Sequence, residues 1–288
     1  MFPTLLKIGP FTVHAYGLMI AIGFLIAVVM VQRDGKKVGI DPRAVSDMAF
    51  WLLVLGVGGS RLLHILMYPS QYSWRDPIGW IAVWQGGLVY QGAPIPVAIY
   101  GWFATRRRKI NFWQMMDCTT PYVAVAHAVG RIGCFLNGCC YGKPTSLPWG
   151  VCFRRDPWDL AQPPTGSPAF LDHCQRFADV SVNHSHWSHP VHPTQLYSVV
   201  MLITLCLVLL YLRKKWHPFP GFTLPLYFFL YSIGRFVIEF FRGDHNPTVF
   251  GLISYQQMFS ILAAVGCTLF FLVLRQWARQ KDVPATPK

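Results

Sequence analysis

The residues best placed to do chemistry lie in one stretch, His127-Ala-Val-Gly-Arg-Ile-Gly-Cys-Phe-Leu-Asn-Gly-Cys-Cys-Tyr-Gly142. Arg131 stands four residues after His127, which on a helix puts the two side chains on one face. Gly130, Gly133, Gly138 and Gly142 are expected to break helical regularity and free backbone N–H groups. An arginine beside such donors makes an anion site suited to phosphate, because the planar guanidinium forks onto two oxygens. Asn137 can fix a ligand oxygen or cap the broken helix. Cys134, Cys139 and Cys140 would need a base or a positive field to act as nucleophiles, and Arg131 offers such a field. Buried, inert small residues is nevertheless the reading taken for these cysteines.

Further polar residues interrupt apolar runs elsewhere. Tyr16, within His14-Ala-Tyr-Gly17, is an interfacial aromatic anchor or a cavity residue. Arg61 and His64 follow Gly56-Val-Gly-Gly-Ser60, where small residues permit close helix approach. Arg61 either meets a ligand or serves a structural contact. Gly86, Gly87, Gly92, Pro94 and Pro96 predict a distorted helix, which membrane depth tolerates where backbone lines a cavity. Gln91 is the polar candidate there, its alternative being an interhelical hydrogen bond. His192-Pro-Thr-Gln-Leu-Tyr197 offers a base in His192 and donors in Gln195 and Tyr197, or simply a helix started by proline. Arg235 and Glu239 are spaced for an i, i+4 ion pair, which is either structural or holds Arg235 toward an anion.

The elements that must position these residues follow from composition. The 288 residues are 53% hydrophobic and 13% charged, with mean hydropathy +0.36, which is a membrane composition. A net charge of +13 on a soluble protein would suggest nucleic acid. Here much of the basic charge sits in connections between apolar runs, so nucleic acid is not an expected partner. Eight cysteines without regular CxxC pairs indicate neither a zinc ribbon nor a small disulfide scaffold. Residues 1–10 show no cleavable signal peptide.

Seven apolar runs, about 14–31, 45–67, 84–105, 114–133, 194–212, 219–239 and 254–274, approach the roughly 20 residues that a spanning helix needs. They predict an all-α polytopic membrane protein forming one integral-membrane domain, since lipid leaves backbone groups no other partners. Alternate connections are basic: Arg33, Lys36, Lys37 and Arg43; Arg106, Arg107, Arg108 and Lys109; Arg213, Lys214 and Lys215; Arg275, Arg279 and Lys281. By the positive-inside rule the N-terminus is outside and the C-terminus cytoplasmic. The connection 134–192 then forms a small extracytoplasmic cap. Cys152 and Cys174 within it either pair or stay apart, and the irregular spacing of His173, His184, His186 and His189 does not support a zinc site. Residues 282–288 read as a disordered tail. No internal repeat suggests an inverted-repeat transporter.

On this topology Tyr16, Arg61, Gln91, His127, Arg131, Asn137 and Arg235 gather toward the outer ends of the spans, with no comparable set on the cytoplasmic side. That asymmetry opposes a through-channel and favours a site for a lipid headgroup or a secreted substrate. The competing readings are an anionic-lipid transporter or flippase, a thiol–disulfide membrane protein built on Cys134, Cys139 and Cys140, and a non-catalytic lipid-binding paralogue.

Gly130-Arg-Ile-Gly-Cys-Phe-Leu-Asn-Gly-Cys-Cys-Tyr-Gly142 resembles the signature of the bacterial phosphatidylglycerol–prolipoprotein diacylglyceryl transferase family. So, in the same order, do His14-Ala-Tyr-Gly17, Trp84-Gln-Gly-Gly87, His192-Pro-Thr-Gln-Leu-Tyr197 and Gly234-Arg-Phe-Val-Ile-Glu-Phe-Phe-Arg-Gly-Asp244. The resemblance implies a seven-span enzyme of the bacterial cytoplasmic membrane. Such an enzyme moves the diacylglyceryl group of phosphatidylglycerol onto the lipobox cysteine of a prolipoprotein signal peptide, forming a thioether and releasing glycerol phosphate. Its partners would be phosphatidylglycerol, prolipoproteins and membrane lipids, with no metal or organic cofactor. Arg131 and Arg235 would be the essential arginines on the phosphate, and Tyr16, Asn137, Gly142 and Glu239 would shape the cavity. Three positions depart from the family pattern. Gln91 replaces a histidine that some members carry as a proposed base, Cys134 replaces asparagine, and Cys139 replaces an acidic residue. The base is then expected to be His127, or an arginine-bound hydroxide or thiolate.

Overall fold

The computed structural model describes residues 4–8, 11–73, 76–83, 86–154, 166–177, 180, 187–244 and 252–282. A β-hairpin comes first, β1 (Thr4–Ile8) antiparallel to β2 (Phe11–His14). Apart from this local pairing the described elements are helical, in keeping with the all-α expectation. Helix α1 (Ala15–Lys37) follows directly and ends on Lys36 and Lys37, where cations favour the helix C-terminus. Helix α2 (Pro42–Met67) starts on Asp41, whose carboxylate accepts a hydrogen bond from the Arg43 N–H, with proline in the first turn. The chain continues through α3 (Pro77–Ile81), α4 (Pro94–Arg107), α5 (Phe112–Asn137), α6 (Pro168–Arg176), α7 (Thr194–Lys215), α8 (Thr223–Glu239) and α9 (Tyr255–Asp282).

Four of these helices are long and apolar enough to cross a membrane: α1, α2, α7 and α9 over Tyr255–Gln280. Their apolar side chains are broadly exposed, Leu25, Leu62, Val200 and Leu262 each by about 60% or more. Such outward-facing surfaces suit lipid rather than water. The other three expected spans differ from expectation in specific ways. The third run becomes a helix only at Pro94, so α4 has 14 residues and about 21 Å of length, short of a roughly 30 Å hydrocarbon core. Its first part is non-helical with a 3-10 turn at Tyr90–Gly92, the distortion that its glycines predict; Trp84 and Gln85 lie outside the described residues. Helix α8 has 17 residues. Helix α5 has 26 residues but carries Asp117, His127 and Arg131 along its length. It also runs unbroken through Gly130 and Gly133, which were expected to interrupt it.

The chain forms two compact units, residues 1–27 with 119–288, and residues 28–118. In the second unit α2 meets the 3-10 turn through two glycines: a side chain on Gly59 would strike Gly92 O and Pro96 Cγ. Arg61, two residues further on and 8% exposed, clamps the connection between α2 and α4. Its Nε donates to Trp80 O at 3.2 Å, Nη1 to Gly86 O at 2.8 Å and Gly87 O at 2.9 Å, and Nη2 to Gly79 O at 2.5 Å. The guanidinium also lies 5.0 Å from the centroid of the Tyr72 ring. Arg61→Ala leaves these carbonyls without their donor and is expected to cost about 3 kcal/mol. Thermal unfolding of the detergent-solubilised protein checks this.

In the first unit α5, α7 and α8 pack around Ala124, Ala128, Leu202, Leu205, Leu209 and Tyr227. A side chain on Gly23 of α1 would come 2.8 Å from Ala126 O of α5. Helix α5 extends to Asn137, so residues 134–137 of the segment expected to form a cap are helical. Beyond it Tyr141, Phe153, Ala169 and Val191 form a core cluster, with Val191 bridging to Pro144 and Val151. Ser167 caps α6 by accepting from the Phe170 N–H. Cys152 and Cys174 form no disulfide. His173 is 2% exposed, accepts from the His189 N–H and packs edge-on against Tyr141 and Phe177, so both histidines take part in local packing. His184 and His186 lie outside the described residues, as does the tail 283–288; Asp282 is the last residue of α9.

Candidate functional site

Helices α1, α5 and α8 bring the polar residues of the first unit together. On α5, Arg131 Nε donates to His127 Nε2 at 3.3 Å, the i, i+4 contact that the spacing predicts. Accepting there leaves the His127 proton on Nδ1, which lies 3.4 Å from Tyr227 Oη of α8. The His127 ring also packs on Tyr231, itself stacked on Tyr227. The basic nitrogen of His127 is therefore engaged by a guanidinium. It can take a proton only if Arg131 moves away.

Tyr16, at the start of α1 and 42% exposed, lies against α5. Gly133 allows this: a Cβ there would stand 3.3 Å from the Tyr16 ring and 3.1 Å from Met19 Cβ. Asn137 closes α5.

On α8, Arg235 Nη1 lies 2.7 Å from Glu239 Oε2, again at i, i+4. Glu239 is nearly buried and serves a second cation, Arg242 Nε at 3.9 Å, while accepting from Ser254 Oγ at 2.9 Å. Arg242 was not singled out by sequence. It is 6% exposed and held by a fork onto Asp244, Nε to Oδ1 at 2.8 Å and Nη2 to Oδ2 at 2.6 Å. Its arginine type two residues before an aspartate was the available signal. A cavity of about 310 Å³ opens beside this group, lined by Lys143, Arg176, Glu239, Arg242, Ser254 and Gln257.

The turn after α5 crosses the end of α8 and the start of α7. Gly142 N–H donates to His192 O, Lys143 N–H to Phe241 O, and Gly243 N–H to Tyr141 O. A Cβ on Gly142 would stand 2.5 Å from His192 O and 2.8 Å from Phe241 O. Packing thus requires glycine at 142. Gly142→Ala forces these strands of backbone apart and is expected to lower the unfolding temperature by several degrees, with activity falling in parallel; a thermal melt beside an activity assay checks it. Tyr197 is tied down nearby, its Oη accepting from Trp149 Nε1 at 2.9 Å and lying 3.1 Å from His192 Nδ1. Cys134, Cys139 and Cys140 converge where α5 ends. Hydrogen bonds from Cys134 and Cys139 hold the Cys140 thiol below its ordinary range, with Arg242 and Arg131 acting in the same direction.

Arg61 and Gln91 belong to the second unit. Arg61 spends its donors on carbonyls, as described above, and Gln91 is exposed on the 3-10 turn. The arginines accordingly divide into two kinds. Arg61 has all three guanidinium nitrogens on backbone carbonyls, and Arg242 has Nε and Nη2 forked onto Asp244. Among the described residues, Arg131 hydrogen-bonds through Nε, and Arg235 pairs through Nη1. Both retain N–H groups for a ligand. Two such cations on neighbouring helices, beside a buried carboxylate, make a site for a phosphate.

The family described as prolipoprotein diacylglyceryl transferase matches residues 3–273. A phosphatidylglycerol–prolipoprotein diacylglyceryl transferase of Clostridium tetani (strain Massachusetts / E88) is 32% identical over 265 residues, covering 92% of this chain and 94% of the relative. The enzyme of the same name from Synechococcus elongatus is 32% identical over 266 residues, 91% and 83% of the two chains. That of Pseudomonas fluorescens (strain SBW25) is 32% identical over 290 residues, 98% and 95%. With its apolar helices and a match over nearly its whole length, the chain belongs to the prolipoprotein diacylglyceryl transferase family of membrane enzymes, which act in lipoprotein maturation.

Proposed function

We propose that this enzyme transfers the diacylglyceryl group of phosphatidylglycerol to the lipobox cysteine thiol of a prolipoprotein signal peptide, releasing glycerol phosphate. The observation that carries the site is the pair Arg131 and Arg235, two partly buried guanidiniums with donors still free among the described residues. The phosphodiester binds between them. As the thiol sulfur attacks the glycerol carbon, the C–O bond to phosphate breaks and negative charge grows on the departing monoester. Fixed cations stabilise that charge more than they stabilise the ground state. Glu239 holds Arg235, and His127 holds Arg131, in position for this. Tyr16, Asn137 and Tyr197 shape the surroundings, and Gly142 keeps the crossing of segments that supports them. In the other unit Arg61 holds the loop that it clamps, and Gln91 stands on the 3-10 turn.

In the membrane, the reading is of seven crossings in the bacterial cytoplasmic membrane. The short helices α4 and α8 and the polar α5 complete the four apolar helices. Residues 138–192 face outward as a cap, and the termini lie outside and in the cytoplasm respectively. The basic connections between alternate apolar runs support that orientation. Purified protein in lipid vesicles, given labelled phosphatidylglycerol and a lipobox peptide, is expected to yield a peptide thioether and free glycerol phosphate in equal amounts. Movement of the lipid between leaflets with no thioether would instead identify a flippase.

A further inference from the structure

The Cys134, Cys139 and Cys140 sulfur atoms all lie within 4.8 Å of one another. The fold enforces this convergence. After α5 ends, Gly138 turns the chain with φ 72° and Cys140 itself sits at φ 58°. The left-handed region is unfavourable for an L-residue, and glycine is the usual occupant. The cost is met by α7: Thr194 Oγ1 donates to Cys140 O at 2.6 Å, and Gln195 Nε2 donates to Cys139 O at 2.8 Å. Both donor residues are almost fully buried. The loop is pinned from outside, and its Cys139 and Cys140 thiols converge on that of Cys134 at the end of α5.

Three thiols make a soft donor set that favours thiophilic ions over magnesium or calcium. At zinc–sulfur distances of about 2.3 Å, tetrahedral or trigonal coordination places sulfurs roughly 3.8–4.0 Å apart. Modest side-chain adjustment closes the observed spacing to that value. Arg131 and Arg242 act electrostatically on Cys140 and would offset the negative charge of bound thiolates. Three protein ligands leave a tetrahedral ion with one open position.

We propose that Cys134, Cys139 and Cys140 form a three-thiolate zinc site whose open fourth position takes the incoming lipobox thiol as its thiolate. This rests on the transferase reading. A thiol bound to zinc gives up its proton, which passes to solvent or to the departing glycerol phosphate. The new S–C bond forms with the sulfur's electron pair, the C–O bond breaks toward phosphate, and nothing is oxidised or reduced. The site answers the question that Gln91 raises, because zinc generates a thiolate at neutral pH without a histidine base.

Full-length protein in detergent, titrated with zinc, is expected to hold one ion per chain by elemental analysis. Cobalt(II) in its place should show thiolate-to-metal charge-transfer absorption. Cys134→Ser, Cys139→Ser and Cys140→Ser are each expected to weaken zinc binding at least tenfold. Wild-type protein supplies a measurement independent of variant folding: saturating zinc should slow maleimide labelling of these three thiols at least tenfold, read by peptide mass spectrometry. Chelation should slow thioether formation at least tenfold, with zinc restoring it. Failure to bind zinc stoichiometrically, or labelling unslowed by zinc, overturns the site. Transfer unchanged in metal-free protein overturns the role of the fourth position and leaves the transferase reading standing. Zinc protection without transfer under any condition supports the metal site and overturns the transferase reading.

Discussion

Arg131→Ala is expected to lower the turnover of diacylglyceryl transfer about a thousandfold while leaving thermal unfolding nearly unchanged. The size follows from what cations contribute when charge develops on a leaving phosphate, about 10³-fold or more for one positioned arginine. The small stability effect follows from the contacts. Arg131 makes one side-chain hydrogen bond among the described residues, to His127, and holds no buried carboxylate whose partner would be lost. Arg131→Lys should recover little of the rate, because an ammonium lacks the planar fork that grips two phosphate oxygens. The measurement is kcat and KM separately, with labelled phosphatidylglycerol in vesicles. Loss confined to KM would mean that Arg131 binds lipid equally in ground and transition states. Full activity in Arg131→Ala would remove the proposed phosphate grip altogether.

Much of this site is visible in the linear chain because helices convert spacing into adjacency. His127 with Arg131, and Arg235 with Glu239, are i, i+4 pairs that meet as expected. What stays hidden depends on distant segments. Gly130 and Gly133 look like helix breakers, yet α5 continues through both. Gly133 is where Tyr16 and Met19 of α1 press in, and packing outweighs the roughly 1 kcal/mol that a helical glycine costs. Arg61 looks like a ligand residue, but its use as a clamp depends on carbonyls 18 to 26 residues away. Arg242 and its place beside Glu239 emerge once the chain turns back at the end of α8. The cysteines are a similar case: their spacing gives no metal motif, and a left-handed residue at 140 brings them together.

Glu239→Ala is expected to destabilise the protein by about 3–5 kcal/mol and to reduce transfer at least a hundredfold. Glu239 has a side chain 2% exposed and lies between Arg235 at 2.7 Å and Arg242 at 3.9 Å. Arg242 has Asp244 as a second partner, but Arg235 has no other carboxylate within ion-pair distance among the described residues. Truncation leaves two largely buried guanidiniums facing a void, and breaking a buried pair from one side carries a cost of that order. It also frees Arg235 from the position in which it meets phosphate, so the loss should fall on turnover as well as on lipid binding. Ser254→Ala removes one hydrogen bond to the same carboxylate and is expected to cost about 1 kcal/mol with little change in rate. Comparing the two separates the ion pair from the local hydrogen-bond network. Thermal melts beside vesicle assays decide the matter: a Glu239→Ala protein as stable and active as wild type would mean that Arg235 is positioned by something other than Glu239.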